Sequence, residues 1–187
     1  MAKQRKNLFG SLALLLWSII LLFVIEGCAP AALPLNYSPS SVLTASGATG
    51  VSVFSYLPAV KGKVEPNQIR NTAIGDLKFD QNIDVYFKDA VFKELRFVGI
   101  KVDAKDRTLT GEIKEFLIDD LGYSMDWALI VRYLVKKVDG GAMLYDSEKV
   151  TKRRTAKFAN QFGALNETIK LNIDEVIKDN DFIKAIN

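Results

Sequence analysis

Residues 8–25 run for 18 positions without a charged side chain, directly after a head that carries Lys3, Arg5 and Lys6. A run that long and that apolar suits a bilayer or an export channel better than the core of a small domain. Basic head, apolar run and a small residue at the cut are the parts of an export signal, with Gly27 as the last residue before cleavage. The fold must be sought downstream, in a part of the chain that works outside the cytoplasm.

Ile25, Gly27 and Cys28 resemble the lipobox of bacterial lipoproteins, in which the cysteine is acylated and becomes the new N-terminus. On that resemblance 1–27 is a signal peptide, 28–50 a lipidated cysteine with a flexible tether, and 51–187 a periplasmic domain. Glu26 stands where the pattern has Ala, Ser, Thr or a small aliphatic residue. The alternative is an uncleaved helix, since 18 apolar residues lie at the lower end of what spans a bilayer. Lys3, Arg5 and Lys6 would then hold the N-terminus in the cytoplasm and the domain would sit at the inner membrane. Ala29 is not the Asp that retains lipoproteins there in Gram-negative cells, so the periplasmic face of the outer membrane is the expected location.

Cys28 is the only cysteine of 187 residues, so the exported domain has no disulfide and no thiolate nucleophile. From Cys28 onward 160 residues remain, enough for one domain with a proper core. The whole chain carries a formal charge of +3, and removing 1–27 takes away three Lys/Arg and one Glu, leaving +1. That balance does not point to nucleic acid. Histidine is absent, which removes the commonest metal ligand and the commonest general base. There is no Ser-x-x-Lys motif, Gly-rich phosphate loop or zinc spacing, so no enzyme is expected, and no metal or cofactor beyond a covalent lipid on Cys28.

Residues 29–50 are rich in Pro, Ala, Ser, Thr and Gly and read as the tether, although Val42 and Leu43 could begin to pack. Residues 51–57 carry bulk on both alternating faces, which predicts an interior strand ended by Pro58. A polar loop follows over 61–71. Ile83, Phe87, Ala90, Val91, Leu95 and Val98 recur at three- and four-residue spacing and predict a helix over 80–98, capped by Asp80 or Asn82 and ended by Gly99. Residues 100–102 read as a short strand. Strand 108–118 places Leu109, Gly111, Ile113 and Leu117 on one side, and strand 127–138 does the same with Trp127, Leu129, Val131, Tyr133 and Val135. Asp139-Gly140-Gly141 is a hairpin signal before a third strand over 144–158. Residues 168–178 are helical, and Asp181 can cap a last turn with Phe182, Ile183 and Ile186. Helices on one face of a mostly antiparallel sheet make an α+β two-layer domain.

Several marks on this layout resemble the YajG-like family of bacterial lipoproteins over about 51–186. They are Ala73-Ile74-Gly75 after the first strand, Leu109 and the meander with Tyr145 after Gly140-Gly141, and Asn166-Glu167, Leu171-Asn172, Ile177, Asn180-Asp181, Ile183 and Ile186 at the close. The family's Asp-x-Arg pair after the first strand is replaced by Tyr56-Leu57-Pro58. The layout is also similar at fold level to auxiliary lipoproteins of ABC lipid transporters and to the lipoprotein that plugs the lipopolysaccharide-assembly barrel. The YajG-like resemblance implies no defined activity.

Lys149, Lys152, Arg153, Arg154 and Lys157 form the densest basic cluster, with Lys149, Arg153 and Lys157 on one strand face and Lys152 and Arg154 on the other. They are a candidate patch for anionic headgroups, set against an exposed strand whose charges discourage edge pairing. Asp119, Asp120 and Asp126 flank a turn but lack the spacing of a calcium loop, and turn polarity accounts for them. Tyr123 and Trp127 could grip a partner, against the more common role of a strand-start Trp in the core. The expected function is a non-catalytic envelope lipoprotein, held to a membrane by its lipid anchor. It is expected to dock on another envelope protein through its sheet edge or the loop from Pro58 to Asp76. The alternative is a lipid- or glycan-handling auxiliary subunit of an envelope transport system.

Overall fold

In the computed structural model, described over residues 32–72, 77–157 and 160–187, three long strands form the frame. These are β4 (Arg107–Asp119), β5 (Ser124–Lys137) and β6 (Met143–Ala156), paired antiparallel in sequence order. The β5–β6 connection passes through Gly140 and Gly141, both at positive φ, which the Asp-Gly-Gly signal anticipates. β1 (Gly50–Tyr56) and β2 (Gln68–Asn71) lie along the other edge of β4, both parallel to it: β1 beside Thr108 to Ile113, β2 beside Leu117 and Ile118. The short β3 (Leu77–Lys78) pairs antiparallel with β2. Among the described residues this makes a six-stranded, mostly antiparallel sheet.

Between β1 and β2 the helical turn α1 (Leu57–Val60) carries Pro58 in its first turn, a position where a missing N–H costs nothing. α2 (Ile83–Phe97) lies over β1, and α3 (Gln161–Ile177) lies over β5 and β6. α4 (Asn180–Ile186) closes the chain against β6. All the helices that pack on the sheet are on one face, as an α+β two-layer domain requires.

The apolar period of α2 is buried as the spacing predicts, from Ile83 through Val98. α3 begins seven residues earlier than expected, where Asn160 caps it by accepting the Gly163 N–H at 3.0 Å. Asp179, not Asp181, caps α4. Asp80 does not cap α2, because its carboxylate accepts the Leu35 N–H at 3.0 Å. The expected strand at 100–102 is reduced to a single bridge between Lys101 and Ala48.

Three further expectations are corrected. β1 is an edge strand, not an interior one: a register shift between Val51 and Phe54 turns Phe54 and Tyr56 to the helices and leaves Val53 in solvent. A bulge between Ile113 and Glu115 reverses the phase of β4, so Phe116 and Ile118 are buried and Leu117 faces out. The segment expected as a tether packs from Leu33 onward: Leu35, Tyr37, Ser41 and Thr49 are buried, and its ends bridge Phe79 and Lys101.

Phe54, Phe87 and Tyr133 meet at the centre with ring separations of 5.2 to 6.3 Å. Gly111 makes room for them. A Cβ there would lie 2.4 Å from the Arg132 carbonyl oxygen and 2.7 Å from the Phe54 ring.

Candidate functional site

Gly27 and Cys28 lie outside the described residues, as does Ala73-Ile74-Gly75. The five cations of β6 and the residue after it are placed, and the strand alternation divides them as expected. Lys149, Arg153 and Lys157 point to the helix side; Lys152 and Arg154 point away from it.

On the helix side the charges are used to hold the fold. Lys149 Nζ and Tyr145 Oη both donate to Asp179 Oδ2, at 2.6 and 2.8 Å, while Asp179 Oδ1 accepts the Asp181 N–H. Burial alone would raise the Asp179 carboxyl, but these hydrogen bonds outweigh it and hold its pKa at about 2. Burial likewise raises the Tyr145 phenol. One carboxylate thus joins β6 to the start of α4. Lys157 Nζ lies 3.2 Å from the buried Asp120 carboxylate, a charge contact at too poor an angle for a hydrogen bond, and donates to the carbonyls of Asp120 and Gly122. Among the described residues Arg153 reaches only the Ala164 carbonyl, at 3.5 Å.

On the open side Arg154 makes a bidentate pair with Asp126, which holds that carboxyl below its usual range. Arg132 does the same with Asp146, and Lys114 meets Glu148 at 2.7 Å. These ladders flank an apolar stripe of Leu117, Ala128, Ile130 and Val150, half-buried or exposed, over which no described element packs. Lys152, without an ion pair among the described residues, borders a shallow cleft of about 550 Å³ at its end, with Leu117, Ala128 and Arg154.

The acidic residues of the β4–β5 hairpin do not converge. Asp119 accepts the Thr72 hydroxyl, Asp120 faces Lys157 and Asp126 is taken by Arg154. Among the described residues no group of three His, Cys, Asp or Glu side chains could hold a metal ion. Trp127 is in the core with its indole N–H on Thr155 at 2.9 Å, whereas Tyr123 is fully exposed.

Two features escaped the sequence reading. Lys61, Lys63, Arg70 and Lys114 surround Phe116 and Glu115 in a pocket of about 150 Å³, where the turn at Pro58 folds the loop back on β4. Only the tertiary turn assembles them. Secondly, Glu94 is fully buried and accepts the Tyr37 hydroxyl (2.6 Å) and the Ser40 and Ser41 N–H groups (2.9 and 3.2 Å), while Asp174 accepts the Ser41 hydroxyl at 2.6 Å. Burial first, and then Glu94, raise the Tyr37 phenol far above its usual range. A carboxyl in the middle of an apolar helical stripe, between Val91 and Leu95, was the available signal.

No family model matches the sequence, and no curated protein matches it significantly. Solved structures do. Protein XCC0632 of Xanthomonas campestris, assigned to the family DUF330, superposes with a TM-score of 0.62 at 12% identity, covering 82% of this chain and 95% of that one. The likeness is one of fold. A second structure, described only as an uncharacterized protein, gives 0.52 at 8% identity over 79% of this chain and 98% of its own. The hypothetical protein CT253 of Chlamydia trachomatis gives 0.49 at 8% identity, over 75% and 99%.

Proposed function

We propose that this chain is a non-catalytic envelope lipoprotein of the YajG-like kind, acylated at Cys28 and held at the periplasmic face of the outer membrane, where it docks another envelope protein. The observation that supports docking most directly is the open face of the β4–β5–β6 meander. Leu117, Ala128, Ile130 and Val150 form an apolar stripe there over which no described element packs, and exposed ion pairs beside it contribute little to stability. The helix side of the sheet is filled by Phe54, Phe87 and Tyr133, so a lipid chain would have no room between the layers. Among the described residues no helix is long and apolar enough to cross a membrane.

The test has two parts. The membrane-extracted protein should begin at Cys28 with its acyl groups and lose them in Cys28→Ala, and it should fractionate with the outer membrane. Cross-linking in intact envelopes should yield a stoichiometric protein adduct that Ile130→Asp abolishes without lowering Tm. Recovery with the inner membrane, or an adduct indifferent to Ile130, would overturn the corresponding part.

The pocket of Lys61, Lys63, Arg70 and Lys114 supports a second reading, a module that handles an anionic headgroup or glycan for a transport system. Co-purified lipid or glycan without a protein partner would favour it.

A further inference from the structure

The path of the chain into the domain determines which end meets the membrane. Leu33 bridges Phe79 in parallel, β3 runs antiparallel to β2, and β2 runs parallel to β4. The chain at Leu33 is therefore directed opposite to β4. Since β4 runs toward the β4–β5 hairpin, a chain entering at Leu33 arrives from the hairpin end. Cys28 precedes Leu33 by five peptide units, which reach about 17 Å when fully extended. If Cys28 carries the anchor, that reach limits how far the hairpin end of the domain can stand from the bilayer.

The same end carries large exposed apolar side chains. Leu121 is 74% exposed and Tyr123 fully so, on the hairpin between β4 and β5. Phe162, 42% exposed, opens α3 beside them, where Gln161 reaches the Met125 sulfur at the start of β5. The hairpin is rigid at its base: the Thr72 hydroxyl donates to Asp119 and accepts the Asp120 N–H, and Lys157 draws in the Asp120 and Gly122 carbonyls. No described element packs over the side chains of Leu121 or Tyr123. A tyrosine at a protruding tip, with an apolar ring and a polar end, suits the boundary between headgroups and acyl chains. Lys152 and Arg153, without carboxylate partners among the described residues, stand on the adjoining end of β6 and suit anionic headgroups.

We propose that the β4–β5 hairpin tip, through Leu121 and Tyr123 with Phe162 behind them, rests in the headgroup layer of the membrane that holds the anchor. The tip orients the domain, so that the open face of the meander stands roughly upright from the bilayer and is reached from the side. The inference rests on the anchored reading above; an uncleaved helix ending at Ile25 would lengthen the reach to eight peptide units, about 27 Å, from the same end.

The experiment uses the full chain, purified with its anchor and reconstituted in vesicles of phosphatidylethanolamine and phosphatidylglycerol. A photo-cross-linking phenylalanine analogue replaces Tyr123 in one variant and Asp139, on the hairpin at the opposite end, in another. The expected result is a lipid adduct at 123 and none at 139. Equal adducts at both positions, or none at 123 on vesicle-bound protein, would overturn the tip contact while leaving the anchor standing. The intact mass of the same sample judges the anchor separately: a chain starting at Met1 would end the acylation reading, and the adduct at 123 would still decide the tip. Protein that leaves the vesicles altogether would overturn both.

Discussion

At the scale of single residues, the interior is held by positions where one atom is decisive. Gly111 is such a position. Its absent Cβ is where the Phe54 ring and the Arg132 carbonyl come closest, and the carbonyl, being backbone, cannot move aside cheaply. Gly111→Ala should cost about 2 kcal/mol by overpacking, which for a domain of this size lowers Tm by about 4–8 °C, read by thermal unfolding. Glu94 is the polar counterpart. Its two oxygens take three donors from residues 37–41 in a site with no exposure, so Glu94→Gln sets an amide N–H against at least one of them. The loss should be about 2 kcal/mol, and amide exchange should accelerate at Ser40 and Ser41 before the sheet is affected. Unchanged exchange there would show that Glu94 does not hold the segment.

At the scale of elements, polar side chains fix which surfaces meet. Asn172 on α3 is fully buried, accepts the Tyr133 hydroxyl at 2.7 Å and donates to the Thr151 hydroxyl and the Lys149 carbonyl. It sets α3 on β5 and β6 at one angle. Asn166 accepts the Tyr86 hydroxyl and donates to the Asn36 carbonyl, tying α3 to α2 and to the entering segment. Asp179 does the same for α4 and β6, and it gives the attachment a pH dependence. Its folded pKa, about 2, lies below the ordinary 3.8, so the stabilisation is complete above about pH 4 and is lost as pH falls toward 2. Asp179→Asn should therefore be less stable than the parent at neutral pH, by about 2 kcal/mol at 1.36 kcal/mol per pKa unit. The gap should close between pH 4 and pH 2 in acid-unfolding curves. A constant gap would mean that the cap and packing at residue 179 matter and its charge does not.

At the scale of the molecule, residues 33–49 are part of the packed domain and not a spacer before it, since their backbone bonds to Lys78, Val98 and Lys101. The long helical and strand periods were legible in the sequence because burial on one face leaves a regular mark. Ile83 to Val98 on α2 and Trp127 to Val135 on β5 are buried as their spacing requires. The hairpin at Gly140-Gly141 and the two-layer α+β class were legible for the same local reasons. The bulge after Ile113 was not, because one inserted residue changes the phase without changing the composition. Nor was the packing of 33–49. Its Pro, Ser and Ala content looks like a linker, and its order comes from Asp80, Glu94, Asn166 and Asp174, 45 to 133 residues away in sequence. The basic cluster was visible as composition, yet only the fold decided that Lys149 and Lys157 meet carboxylates while Lys152 stays open. By itself the sequence determined the helices and long strands, because periodic burial is a local property of the chain. The tertiary structure alone decided which charges are neutralised, which apolar face the described elements leave open and at which end Leu33 enters the sheet, because these depend on partners that only folding brings together.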